Sequence, residues 1–544
     1  MMMTRRQRRW GLAGSAIALA ATALFILLAL AALLASQPAT IDGWIFSAYT
    51  FRILQFTLLQ AALSTLLSTG VAVPVALALA RRSHFPGRLW VLRLMALPMG
   101  LPVLVVTLGL IAIWGRQGWA NGLLLSLGAS EPVSIYGLSG ILLAHVFFNL
   151  PLACRLMVAA LERQPGESWM LAASLGMSSA SVFRFVEWPA LVRILPGIAG
   201  LIFMLCVTSF TIVLVLGGGP AATTLEVAIY QSLRFDFDPP RAIALALLQI
   251  ALTGLVLAVL ATMRRPEERI STLGGARIRF DGRTLAKRTW DTAWIATAVA
   301  FLLLPLVAVV SAGLQADLGR LVTSAAFASA AATSLAIALA SGLIALAMSI
   351  AIIRGRLTVA ETKGAGAGAV AYGRILGATS SLVLLVPPIV LGTGWFLLLR
   401  PWGDVSRFAP VLVVAINALM ALPFVVRVLE PAMETHHART ARLTASLGMS
   451  GLWKLWHIDR PILMTPAALA LSFAMALSLG DLGAVALFGS SDFVTLPWLL
   501  YSSLSSYRTA DADGLALVLG AVCLILAVVG TSGQDSNRSR RAAG

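Results

Sequence analysis

The chain has 544 residues, 59% of them hydrophobic and only 12% charged, with a mean hydropathy of +0.90. Soluble domains carry about a quarter charged residues, so this composition excludes a string of soluble domains, a disordered chain and a disulfide scaffold. A net charge of +17 would suit nucleic acid in a soluble protein, but membrane proteins collect Lys and Arg in cytoplasmic loops, and no nucleic-acid partner is expected.

A hydrocarbon core of ~30 Å takes ~20 apolar residues per helix, and twelve such stretches follow one another. The first, 10–36, comes after Arg5, Arg6, Arg8 and Arg9. It is too long for a signal-peptide core and reads as an uncleaved anchor in the lipid bilayer. Stretches 53–79, 91–114, 137–161, 191–216 and 242–263 complete a first set of six. The polar segment 264–288 holds eight cations and reads as a cytoplasmic linker. Stretches 293–314, 326–353, 375–399, 411–428, 462–488 and 515–529 form the second set. The expected fold is all-α and polytopic: a first half over 1–263, a linker over 264–290 and a second half over 291–544.

With the N-terminus in the cytoplasm, 32 of the 40 Lys and Arg residues fall on inner segments. Only Arg52, Arg116, Arg234, Arg241, Arg320, Arg400, Arg407 and Arg508 fall outside. That bias places both termini in the cytoplasm. Cys154, Cys206 and Cys523 lie in apolar runs without CxxC spacing, and the five histidines form no HExxH pair. No metal, cofactor or catalytic constellation is readable from them.

The chain repeats itself at an offset of 272 residues. Ser174-Leu175-Gly176-Met177-Ser178 recurs as Ser446-Leu447-Gly448-Met449-Ser450. The same shift carries Leu150-Pro151 to Leu422-Pro423, Arg155 to Arg427, Glu162 to Glu434, Pro189 to Pro461, Gly217 to Gly489 and Thr223 to Thr495. Alanine-rich helices match by chance over a few residues, but they do not keep one register this long. An even number of spans per half makes the repeat parallel, about an axis along the membrane normal, with a pathway between the halves.

The most similar segments are cytoplasmic. Pro165-Gly166 breaks the chain, 167–175 is expected to form a short helix, and Gly176 ends it in the left-handed conformation. Ser178 then caps a second short helix reaching Phe185, and Pro189 enters the fifth span. Residues 443–447, Gly448, Ser450 and Pro461 are expected to repeat the scheme. Each unit presents a small helix with an apolar face that a soluble partner can grip.

These two loops resemble the EAA loop of binding-protein-dependent ABC importer permeases: an acid, two alanines, three residues, a glycine, nine residues, then I-x-L-P. Met170-Leu171-Ala172-Ala173-Ser174-Leu175-Gly176 precedes Val186-Glu187-Trp188-Pro189, and Arg442-Leu443-Thr444-Ala445-Ser446-Leu447-Gly448 precedes Ile458-Asp459-Arg460-Pro461. Met170 and Arg442 stand in place of the acid and leucine in place of the first alanine, which bears on any acidic contact but not on the loop's shape. Glu167 or Glu434 is the available substitute. The resemblance implies that Glu167, Ala172, Ala173, Gly176, Pro189, Ala445, Gly448 and Pro461 couple the chain to a homodimeric ATP-binding subunit, two copies per chain.

Within this group, Arg184-Phe185-Val186-Glu187-Trp188-Pro189, the run 217–226 with Ala228-Ile229-Tyr230-Gln231, and the run 478–489 look like the fused thiamine / thiamine-pyrophosphate permeases. Fused ferric-iron permeases are similar in outline. The resemblance implies inward transport from a periplasmic substrate-binding protein across a bacterial inner membrane, by a non-catalytic subunit. Lys287, Lys363 and Lys454 are the lysines of the chain, and none sits in a P-loop, so ATP hydrolysis is expected in a separate subunit. The rival from another class is an ion-gradient-driven secondary transporter. Such proteins use intramembrane acid or His relays, whereas Asp481 is the one acid well inside a predicted span.

On the outer side, Gly217, Gly218, Gly219 and Gly489 belong to loops 217–224 and 489–497, which either receive substrate from the binding protein or are plain turns. Asp481 aligns with Ser209. It either contacts a cationic substrate in the pathway or caps a helix broken between Gly480 and Gly483. Tyr230 and Tyr501 are candidates for weak cation–π attraction along that pathway.

Overall fold

A computed structural model describes residues 5–36, 47–262, 284–361, 366–383, 386–447, 449, 451–490 and 493–542, and every regular element among them is helical. The first half opens with α1 (Arg5–Ala35), α2 (Ala48–Arg81), α3 (Arg88–Leu94), α4 (Val103–Trp114), α5 (Trp119–Ser126) and α6 (Leu138–Glu162). It continues with α7 (Gly166–Ser174), α8 (Ser179–Val182), α9 (Trp188–Val207), α10 (Thr211–Leu216), α11 (Leu225–Arg234) and α12 (Pro239–Thr262). The second half begins with α13 (Leu285–Gln315), α14 (Leu318–Thr323), α15 (Ala325–Ala360), α16 (Ala367–Leu382), α17 (Pro388–Leu399) and α18 (Ala409–Ser446). Last come α19 (Gly451–Lys454), α20 (Arg460–Gly480), α21 (Gly483–Phe488), α22 (Leu496–Ser505) and α23 (Thr509–Ala542).

Among the described residues, 11 helices are long and apolar enough to cross a membrane, against the twelve expected. The ninth expected stretch, 375–399, is in two pieces, α16 and α17. Pro387 and Pro388 lack the N–H groups that would carry one helix through it. Pro98 and Pro102 act likewise in the third stretch, separating α3 from α4 and leaving only the 3₁₀ turn Leu97–Met99 between them. The expected linker lies outside the described residues up to position 283; from Leu285 onward it is already α13.

The first helix of each half reaches across to the other half, although α13 also packs on α23 of its own half. α1 packs on α15 and α17, while α13 packs on α2 and α4. Glycine permits the close crossing in both places. A Cβ at Gly109 of α4 would lie 2.4 Å from the Pro305 carbonyl oxygen of α13, and one at Gly394 of α17 would lie 2.3 Å from the Ala29 carbonyl oxygen of α1. Inside a bilayer, helix association rests on such packing and on polar contacts rather than on transfer of apolar surface from water. The anchor helix is therefore core: Ala29 and Leu33 are fully buried, Trp395 Nε1 donates to the Phe25 carbonyl at 3.2 Å, and Ser15 and Tyr372 share a hydrogen bond of 2.8 Å. At the end of α2, Arg81 and Arg82 lie 3.3 and 3.1 Å from Asp291 of α13, a fully buried carboxylate.

Candidate functional site

α7 starts directly after Pro165, with Glu167 in its first turn, where a carboxylate complements the helix dipole. Its end is a Schellman arrangement. Met177 N–H donates to the Ala172 carbonyl at 3.0 Å, Gly176 N–H to the Ala173 carbonyl at 3.1 Å, and Gly176 has φ 60°. A Cβ on Gly176 would meet nothing within 4 Å, so backbone conformation alone asks for glycine there. Trp169 and Ala172 bury against Val182, beside Met177 and Val186, while Met170, Leu171 and Leu175 stay exposed. This is the apolar outward face expected of the loop.

Ser178 accepts the Ser181 N–H at 3.3 Å, as expected of a cap. The helix it starts does not stop at Phe185, however. It runs through a π-helical turn, Phe183–Glu187, straight into α9, with Trp188 N–H donating to the Phe183 carbonyl. Pro189, exposed at the start of α9, cannot donate, and the wider turn carries the chain past it.

The second copy keeps this π turn in the same register, Leu455–Asp459, ahead of Pro461 in the first turn of α20. The segment ahead of it departs from the expected separate short helix. Leu443 and Ala445 belong to the end of α18, a helix of 38 residues. His437 and Ala438 stand where the first half has the breakers Pro165 and Gly166. Met449 N–H donates to the Thr444 carbonyl at 2.9 Å, the counterpart of the Met177 bond, while Gly448 and Ser450 lie outside the described residues. Polar contacts fasten this copy: Asp459 lies 2.8 Å from His436 Nε2 and 3.7 Å from Arg354, and His437 lies 2.6 Å from Glu361. Leu443, Leu447, Trp453 and Trp456 are exposed.

The expected spans five and eleven are both broken near the same register. α9 stops at Val207 before α10, and α20 stops at Gly480 before α21. A break at membrane depth frees backbone groups that need partners. The first half uses side-chain amides. Gln60 Nε2 donates to the Cys206 carbonyl at 2.9 Å, and Gln249 Nε2 to Glu226 at 3.3 Å and more loosely to the Val207 carbonyl at 3.5 Å. The second half uses a carboxylate: Asp481 accepts the Gly483 and Ala484 N–H groups at 3.1 and 3.3 Å. These are the bonds of a helix cap. Ser209 sits half-buried in the first break, and a Cβ at Gly483 would lie 3.7 Å from the Phe210 ring, so the breaks meet across the halves.

A buried polar network backs each break. Ser64 lies 2.8 Å from His145 Nδ1 in one half; in the other, Ser341 and Asn417 donate to Ser478 at 3.0 and 2.9 Å. The 272-residue shift relates His145 to Asn417 and Cys206 to Ser478.

Of the four glycines Gly217, Gly218, Gly219 and Gly489, Gly218 and Gly219 are exposed, at φ 71° and 138°. Gly217 and Gly489 are buried. A Cβ would come within 2.5 Å of the Val213 carbonyl oxygen at Gly217, and within 2.9 Å of the Val485 carbonyl oxygen at Gly489. Tyr230 is core, 1% exposed, with Phe210 and Phe235 edge-on at 5.4 and 5.6 Å. Tyr501 is half-buried beside Trp498.

Sequence reasoning missed several of these groups. Glu226 and Asp291 are buried carboxylates that lie outside the predicted spans. Glu226 lies on α11, which reads as outer loop until Leu225, Ala228, Ile229 and Leu233 are recognised as one helical face. Arg234, at the end of α11, donates to the Gly489 carbonyl at 2.9 Å and lies 5.9 Å over Trp498, tying the glycine loop of one half to the other.

Residues 72–265 match the family described as binding-protein-dependent transport system inner membrane component. A thiamine transport system permease protein of Escherichia coli (strain K12) is 44% identical over 537 residues, covering 97% of this chain and 98% of the relative. One from Brucella abortus (strain 2308) is 48% identical over 484 residues, 89% of this chain and 88% of the relative. One from Haemophilus influenzae (strain ATCC 51907 / DSM 11121 / KW20 / Rd) is 37% identical over 489 residues, 89% of each chain.

Proposed function

The chain belongs to the family of binding-protein-dependent transport system inner membrane components, and on that premise we propose that it is the permease of an ABC importer for thiamine or thiamine pyrophosphate. It is a multi-pass inner-membrane protein. The observation that carries the substrate reading is its similarity to thiamine permeases over almost their full length, which favours thiamine over the ferric-iron alternative.

In the proposed orientation both termini and both coupling loops face the cytoplasm, and the glycine loops face the periplasm and a substrate-loaded binding protein. Two ATPase copies dock on the exposed faces of Met170, Leu171 and Leu175 and of Leu443 and Leu447. Closure of the ATPase pair moves both loops. The second loop passes that displacement directly along α18; the first passes it from α7 through the π turn into α9. α9 and α20 each end at a helix break, and the breaks meet between the halves. That convergence supports a pathway between 1–263 and 291–544, opened by their relative movement.

A thiamine-requiring bacterial strain lacking its own thiamine permease tests the reading. Co-expression of this chain with its ATPase and binding protein should restore growth on low thiamine. Restoration with a hydrolysis-dead ATPase would contradict it.

A further inference from the structure

Asp291 is buried against Arg81 and Arg82, and Asp481 directs its charge onto two backbone N–H groups. Glu226 has neither kind of compensation. It is 1% exposed, no Lys or Arg among the described residues pairs with it, and the hydrogen bond it accepts comes from the neutral amide of Gln249 at 3.3 Å. A buried carboxylate left this way is costly.

The groups around it add to the imbalance. The end of α9 presents the Cys206 and Val207 carbonyls, the negative end of a helix dipole. The N–H groups of Gln60 and Gln249 are taken up by those carbonyls and by Glu226. That leaves Gln60 Oε1 and Gln249 Oε1 buried without a hydrogen-bond partner among the described residues, and Thr224 Oγ1, at the start of α11, is in the same position. Acceptors outnumber donors here. A water satisfies a lone acceptor, but only a cation also balances the carboxylate.

The place is the border between the halves. α11 packs on α17 and α21 of the second half, and α12, which carries Gln249, also packs on α17. One turn along α11 from Glu226, Tyr230 meets Phe210 edge-on at 5.4 Å, and the Phe210 ring borders Gly483 of the second half. The 272-residue shift puts Trp498 where the first half has Glu226, so the second half is built without this charge.

We propose that Glu226 is the charge that selects an organic cation where the halves meet, with Phe210 and Tyr230 supplying the aromatic surface such cations favour. The inference rests on the thiamine reading, since thiamine carries a permanently charged thiazolium ring. Movement of α11 against α17 and α21 uncovers the carboxylate as the pathway opens, and an anionic cargo is repelled at the same point.

The test uses the assembled complex of this chain with its ATPase and binding protein in sealed proteoliposomes. Glu226→Gln keeps the shape of the side chain and removes its charge, so the melting temperature should hold or rise. Maximal uptake of labelled thiamine should fall about tenfold. The half-saturating concentration of loaded binding protein, and the ATP hydrolysis it stimulates, should stay as in the natural complex. Glu226→Asp, which keeps the charge, should recover most of the lost uptake. Unchanged uptake in Glu226→Gln overturns the inference and leaves the thiamine reading standing. A fall in uptake that comes with a lower melting temperature or lost stimulation also overturns it, because that marks a structural role, and so does a Glu226→Asp variant as slow as Glu226→Gln. Failure of the natural complex to carry thiamine overturns both.

Discussion

Gly109 lies so close to the Pro305 carbonyl oxygen that a Cβ would come within 2.4 Å of it, and the contact joins α4 of one half to the first helix of the other. Gly109→Ala should therefore lower stability by about 1 to 3 kcal/mol through overpacking. Gly394→Ala, against Ala29, should do the same. Gly70→Ala in α2, where a Cβ meets nothing within 4 Å, should be neutral or stabilising by about 0.5 to 1 kcal/mol. Melting in detergent, followed by intrinsic fluorescence, checks the order of the three.

Gly176 poses a different demand, since its surroundings are open and only its φ of 60° is restrictive. Asparagine tolerates that conformation better than other residues and valine does not. Gly176→Asn should keep most transport, while Gly176→Val, at a local cost of about 1 to 2 kcal/mol, should uncouple ATP hydrolysis from uptake and still reach the membrane. Uptake per ATP hydrolysed, at matched membrane levels, is the readout.

The two repeated loops should respond differently to mutation. Asp459 holds His436 and Arg354 in the second loop. Asp459→Asn weakens charge-assisted contacts and should cost about 1 to 3 kcal/mol. Pro165→Ala with Gly166→Ala removes the breakers that separate α6 from α7 and should fuse them, as α18 is fused. Protection from hydrogen exchange should then extend across residues 163–166, whereas unchanged exchange would mean that neighbouring packing, not these two residues, makes the break.

Asp481 accepts two capping bonds, from the Gly483 and Ala484 N–H groups. Asn caps nearly as well as Asp, so Asp481→Asn should retain uptake of labelled thiamine, and Asp481→Ala should lose about 0.5 to 2 kcal/mol of stability. A collapse of uptake in Asp481→Asn at normal stability would restore a role for the charge itself.

Much of this architecture is legible in the sequence because hydrophobic length and the 272-residue register are strong, local signals. The register locates Gly176 and pairs Pro189 with Pro461 and Ser209 with Asp481, whereas the π turns ahead of the prolines and the break at Ser209 emerge only in the structure. Its limit is where the copies diverge: exact repetition suggests a separate second docking helix, but His437 and Ala438 continue α18 where Pro165 and Gly166 interrupt the chain. The reach of each first helix across to the other half is not legible, since Gly109 and Gly394 reveal that something approaches closely without naming what. Likewise, the amides of Gln60 and Gln249 gain meaning only once the carbonyls freed at Cys206 and Val207 are placed beside them.

Inward carriage of thiamine at the expense of ATP hydrolysed by a partner can be measured in sealed proteoliposomes. The purified chain is reconstituted with its ATPase, ATP is enclosed on the ATPase side, and binding protein loaded with labelled thiamine is added on the other. Label should accumulate against its gradient only when ATP, ATPase and binding protein are all present. Accumulation driven by an ion gradient without the ATPase, or none at all with every component active, would contradict it.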